Sequence, residues 1–214
     1  MSRHHRSHDI TTQVVLETVA AYEEAAEEFL SRWGKRRYRP PLLLRRLLAL
    51  LPSRARVLDL GSGGGQDTRQ LWRLGYRVTG LDRTGALLAF ARQRSASTPL
   101  IQADMRCLPL QRGCVDGIWA AASLIHLPKV EIRKVLADLC AIVRPGGVLA
   151  ATVTHGTTSR MLRGGWIPGR YFARWKKAEL DRAFRATGWC VIELNVVTGQ
   201  ERKGRWINVI ATRM

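Results

Sequence analysis

Acidic residues are scarce in this chain: 17 aspartates and glutamates face 35 lysines and arginines among 214 residues, a formal net charge of +18. No acid falls between Arg32 and Arg56, a stretch holding Lys35, Arg36, Arg37, Arg39, Arg45, Arg46 and Arg54, and none between Arg160 and Lys177. Such a field attracts polyanions, RNA foremost, although solvated arginine-rich helix faces carry the same composition. Paired cysteines are lacking too. Cys107, Cys114, Cys140 and Cys190 stand singly, without a C-x-x-C or a histidine at zinc-finger spacing. That argues against a metal site or disulfide framework and for free thiols in a reducing compartment. Long apolar runs are missing as well. Leu42–Leu51 is interrupted by Arg45 and Arg46, short of the roughly 20 residues a membrane span needs. The opening "MSRHHRSHDI" has no apolar signal-peptide core, so residues 1–10 read as a short disordered polar tail and the expected location is cytoplasmic. Internal repeats and low-complexity linkers are absent.

What is present is enough apolar residue, 46%, for one sizeable core and a single domain over 11–214. Residues 11–33 form an amphipathic pattern in which Val15, Val19, Tyr22, Ala26, Phe29 and Trp33 share a face. Glu23, Glu24, Glu27 and Glu28 lie opposite, suited to pairing with the basic stretch that follows. "RPPLLLRRLLALLP" predicts a second helix bounded by prolines, completing an N-terminal helical cap over 11–52. From Arg56 the rhythm changes. Strands are predicted at 57–60, 76–81, 100–103, 115–120 and 147–153, with helices at 67–74, 85–94 and 130–143 between them. Alternation of this kind gives a doubly wound α/β domain, a parallel sheet with helices on both faces, spanning 53–154. Residues 155–172 are too rich in Gly, Ser and Thr for a regular element and read as a long substrate loop. A helix in "KKAELDRAFRATGW" and an antiparallel hairpin, 190–197 with 206–211 around the turn "TGQERKGR", finish the chain.

The chemistry starts at "RVLDLGSGGGQD", residues 56–67. A strand that runs into glycines presses its backbone against a nucleotide. The dinucleotide fingerprint G-x-G-x-x-G would need a third glycine where Gln66 stands. The motif is instead D-x-G-x-G-x-G, from Asp59 through Gly61 and Gly63 to Gly65. "VTGLD" ends the next strand in Asp82, placed to accept from ribose hydroxyls, and "IQADM" ends the third in Asp104, an acceptor suited to an adenine amino group.

In order, "VLDLGSGGG", "GLD", "ADMRCLPL", "CVDGIWAAASLIHLP" and "VRPGGVLAATV" resemble the class I S-adenosylmethionine-dependent methyltransferases, of the type 11-like kind, over about Val57–Val153. The resemblance implies a Rossmann-like seven-stranded sheet, mostly parallel, with a C-terminal antiparallel hairpin, and S-adenosyl-L-methionine as cofactor. It implies that Asp59, Gly61, Gly63 and Gly65 surround the methionine half, Asp82 with neighbouring Arg83 the ribose, and Asp104 the adenine amino group. Met105 would pack near the ring and Ala121 or Ala122 beneath the cofactor. No metal is implied. Methyl transfer from a sulfonium needs alignment more than it needs a fixed triad, and a base only when the acceptor carries a proton. His126, after the fourth strand, is the first candidate base and also a substrate contact; a cap on the helix after Pro128 is its structural alternative. His155, after the fifth strand, is the second. Tyr22 and Trp33 are placed to cover the pocket, and Trp166, Arg170, Tyr171 and Arg174 to line the acceptor site.

A narrower set, "LETVAAYEEAAEEFLSRW", "SLIHLP" and "RYFARWKKAEL…RWINVIATR", is similar to the tRNA wobble-uridine methyltransferases that esterify a carboxymethyl group. His126 matches the first of that family's two histidines, and Leu127 stands at the second. Three readings stay open, in this order: a small organic acceptor, tRNA, and a noncatalytic protein that binds the cofactor or its product. The acceptor atom and the oligomeric state are not encoded in any motif.

Overall fold

The computed structural model of the chain describes residues 3–33, 40–198 and 204–214. The basic residues Lys35, Arg36, Arg37 and Arg39 and the centre of the turn "TGQERKGR" lie outside them. Seven strands run in the order β3 (Leu100–Gln102), β2 (Arg77–Asp82), β1 (Arg56–Leu60), β4 (Val115–Ala121), β5 (Val143–His155), β10 (Arg205–Arg213), β9 (Trp189–Thr198). The first five are mutually parallel, and β10 is antiparallel to both neighbours. The fold class is the one expected.

Alternation along the central strands builds two cores. Leu58, Ile118, Ala120, Leu149 and Ala151 face one side, where Ile132, Val135, Leu136 and Leu139 of α6 (Lys129–Ile142) cover them. Val57, Trp119, Val148 and Ala150 face the other, under Leu43, Leu44 and Leu47 of α3 (Leu42–Ala49) and Leu71 of α4 (Gln66–Arg73). Strands buried on both faces read as continuous apolar runs, which is why they were legible.

The chain winds outward from β1 through β2 to β3, then crosses to β4 on the other side. The crevice at the carboxyl ends of β1 and β4 is therefore the switch point where open α/β sheets bind ligands. The turns after the two strands meet closely: a methyl group on Gly61 (φ +74°) would stand 2.3 Å from the Ser123 Cβ. Only glycine fits that left-handed, crowded position.

Four expectations change. The first cap helix, α1 (Arg3–Glu24), starts ahead of the boundary expected at residue 11, and the cap breaks once, at Ala25, before α2 (Ala26–Trp33). Glu23 is not turned to the basic stretch. Its carboxylate accepts the Gly85 and Ala86 N–H groups at 2.5 and 2.9 Å, capping α5 (Gly85–Arg94), where the helix dipole favours an anion. Strand β5 starts at Val143, because that residue already pairs with Val115 ahead of a register shift. The loop 155–172 contains an antiparallel pair, β6 (Arg160–Leu162) with β7 (Arg170–Phe172). The Gly169 N–H closes it on the Leu162 carbonyl at 2.7 Å. Strands of three residues are too short for alternation to reveal. Beyond them β8 (Arg174–Trp175) adds to the end of β5, and α7 (Lys177–Arg185) leads into the C-terminal hairpin.

Candidate active site

One cavity of about 500 Å³ opens at the switch point, within the roughly 300–1,000 Å³ usual for small-molecule sites. At one end it is walled by Gly61, Gly63, Asp82, Arg83, Asp104 and Met105, with Ala121 and Ala122 beyond β4. At the other stand Tyr22, Phe29, His126, Trp166, Arg170 and Phe172. Helices α1 and α2 roof it. Phe29 lies 3.5 Å from where a Gly63 Cβ would be, and Leu30 meets the equivalent point of Gly64 at 2.6 Å.

Asp82 is fixed by backbone donors, accepting Gly63 N–H at 2.7 Å and Thr84 N–H at 2.8 Å. Burial raises its carboxyl above the ordinary value, and the hydrogen bonds from Thr84, Gly63 and Arg83 only partly oppose this. Asp104 differs. Arg106 grips it through backbone N–H at 2.9 Å, Nε at 3.1–3.2 Å and a second guanidinium nitrogen at 2.8 Å, and Arg83 adds 2.7 Å. Burial alone would raise Asp104, yet those hydrogen bonds and charges outweigh it and hold the carboxyl low. Both of its oxygens are engaged, so an amino group reaches it only by sharing them with an arginine or displacing one.

Asp59 and Gly65 lie off the wall. Asp59 is buried, with the Thr68 hydroxyl donating to it at 2.5 Å. Burial and the nearby charges of Asp67 and Asp82 push its carboxyl up to about 8, against the Thr68 hydrogen bonds. Asp67 itself accepts the Trp119 indole N–H at 2.7 Å.

At the far end, the 3-10 turn Leu124–His126 presents His126 between two rings. Tyr22 and Phe172 meet it edge-on at 5.3 and 5.1 Å. Its Nδ1 is 2.8 Å from the Tyr171 carbonyl, which can only accept, so Nδ1 carries the proton. Nε2 then takes the Tyr22 hydroxyl at 3.0 Å, and that hydroxyl accepts an Arg170 N–H at 3.2 Å. His126 does not cap α6, whose N-cap is Pro128.

Three other predicted residues stay outside. Tyr171 adjoins Arg170 and Phe172 on β7, and the twofold period of a strand sends it to the opposite face. It contributes through its backbone, its N–H donating to Thr18 Oγ1 at 3.0 Å. His155 ends β5 beside Trp175 and, like Arg174, is off the wall. Trp33 does line it. Sequence reasoning missed Phe172, Ser123 and Thr18. No local pattern marks Phe172, because it sits on a strand of three residues.

Three observations fit an adenosyl sulfonium carrying an amino-acid tail. Backbone at Gly61 and Gly63 lies bare on the wall in left-handed conformation. Asp82 is oriented by two backbone amides. The buried Ser123 Oγ, on a residue of the same wall, has no hydrogen-bond partner among the described residues.

Comparison with known proteins agrees. Residues 57–147 match the family model described as a methyltransferase domain. The malonyl-[acyl-carrier protein] O-methyltransferase of Pseudescherichia vulneris is 30% identical over 172 residues, 79% of this chain and 67% of that protein. Its counterpart in Pectobacterium atrosepticum is 36% identical over 119 residues, 54% of this chain, and the match spans 46% of the relative's own length. In fold, the 1,6-didemethyltoxoflavin-N1-methyltransferase of Burkholderia thailandensis, solved with its substrate and S-adenosylhomocysteine, superposes with a TM-score of 0.74 at 18% identity, covering 95% of this chain and 90% of that one. The chain belongs to the class I S-adenosylmethionine-dependent methyltransferases, a family whose cofactor is S-adenosyl-L-methionine.

Proposed function

We propose that this chain transfers the methyl group of S-adenosyl-L-methionine to a small organic acceptor. The observation that carries the reading is the single cavity joining the Gly61–Gly63 turn and Asp82 to the Tyr22–His126–Arg170 group. The cofactor supplies an electrophilic methyl on a sulfonium. The chain has to align an acceptor with it and exclude water, and alignment can contribute much of the acceleration. Asp82 receives the ribose hydroxyls, Gly61 and Gly63 let the backbone approach the methionine half, and Ser123 donates to its polar end. Asp104 and Met105 border the adenine. Phe29, Trp166 and Phe172 shield the transfer from water. Where the acceptor must shed a proton, the route runs through the Tyr22 hydroxyl to Nε2 of His126, whose ring is steadied by the Tyr171 carbonyl.

The aromatic far end, lined by Tyr22, Phe29, Trp166 and Phe172, favours a small acceptor over a nucleic-acid base presented on a folded RNA. The test is incubation with methyl-labelled cofactor and either a metabolite extract or total tRNA. Label is expected in the small-molecule fraction together with S-adenosylhomocysteine. Label confined to tRNA would replace this reading with the RNA one, and none in either would favour a binding protein without turnover.

A further inference from the structure

Arg170 is a cation built into the cavity wall without an anion to balance it. It is only 6% exposed, yet among the described residues no carboxylate lies within ion-pair distance of it. Of its five N–H donors, Nε gives one to the Ile167 carbonyl at 2.9 Å and a terminal nitrogen gives one to the Tyr22 hydroxyl at 3.2 Å. Among the described residues the others meet no acceptor. The guanidinium is instead caged by the faces of Tyr22, Trp166 and Phe172 at 5.3, 5.0 and 5.3 Å, which offsets part of its lost hydration. A buried charge left unpaired is costly, and neither acid of the wall relieves it: Asp82 holds the Gly63 and Thr84 amides, and Asp104 is taken by Arg106 and Arg83. Arg32, over the same Trp166 ring at 4.8 Å, adds a second positive charge.

We infer that Arg170 is the anchor for a carboxylate on the acceptor, so that the substrate class is organic acids with an apolar or aromatic body. This rests on the methyltransferase reading above and narrows it. A planar fork with free donors matches a carboxylate, and a neutral isostere would leave the charge unbalanced. The ring cage sets the body of the acid against Trp166 and Phe172, with the carboxylate turned towards the guanidinium.

The test is calorimetry with S-adenosylhomocysteine at saturation, using a panel of aliphatic and aryl-alkanoic acids and their primary amides as probes, on the wild type, Arg170→Gln and Arg170→Lys. The wild type is expected to prefer acids to matched amides at least tenfold. Arg170→Gln should erase the preference and Arg170→Lys weaken it, both keeping S-adenosylhomocysteine affinity. Absence of the preference in the wild type, or its survival undiminished in either variant, overturns the inference; should Arg170→Gln not fold, Arg170→Lys decides by the same criterion. A wild type that binds acids through Arg170 but not S-adenosylhomocysteine contradicts the cofactor reading instead, so the two failures are separable.

Discussion

Asp59 is a buried carboxyl and Asp82 a half-buried one, each near a strand tip, and their surroundings give them different work. Asp82 faces the cavity with two backbone donors fixing its orientation. Asp82→Ala should weaken S-adenosylhomocysteine binding by about 1.5–3 kcal/mol, the range for hydrogen bonds to a charged group; an unchanged calorimetric affinity would count against the ribose assignment. Asp59 faces the protein, and its effect appears in stability. Its carboxyl stands at about 8 in the fold against 3.8 for the unperturbed group. Between those values the native state keeps a proton that the unfolded chain has lost, so stability falls as pH rises from about 4 to 8, by at most about 1.4 kcal/mol per unit. Asp59→Asn should flatten that slope in urea titrations across the interval. Asp104, held low by Arg106, acts with the opposite sign, contributing stability that is lost only as pH drops below the usual carboxylate range. A slope unchanged in Asp59→Asn would mean that the carboxyl is not raised.

At the scale of elements, the cap is tied down by one carboxylate. Glu23 holds the first two amides of α5, and α1 in turn positions Tyr22 against His126. Glu23→Ala should cost about 1.5–3 kcal/mol and raise hydrogen exchange across 15–33, with weaker product binding as the roof loosens; exchange confined to its present level would exclude the clamp. Nothing local in the sequence marks Glu23 among four similar glutamates, because its partner lies 62 residues away. The β6–β7 pair was hidden for a related reason. Three-residue strands carry no readable period, and their place is set by contacts such as the Ala173 N–H to the Ile125 carbonyl at 2.7 Å. That docking brings Arg170 and Phe172 to His126 and sends Tyr171 away.

Over the whole molecule, the charge of +18 predicts a counterion-driven attraction to nucleic acid that is separable from the reaction. RNA association, measured by mobility shift, should collapse between about 50 and 200 mM salt and leave no methylated nucleoside. Salt-resistant binding with methylation of one tRNA position would revive the RNA acceptor. On the cavity wall the acids Asp82 and Asp104 are engaged by protein donors, while Arg170 meets no carboxylate among the described residues.

The succession of strands and helices, the glycine turn and the acids at two strand ends were readable from the chain alone, since each follows from short-range pattern: apolar runs, clustered glycines and spacing along one strand–turn–helix unit. Which of those residues face the cavity was decided only by the packed fold. Asp59 and Asp104 belong to the same sequence pattern as Asp82, yet one turns to Thr68 and the other is gripped by Arg106. Burial, ion pairing and the face of a strand that a side chain occupies are relations between distant segments, and they come into being only when those segments meet.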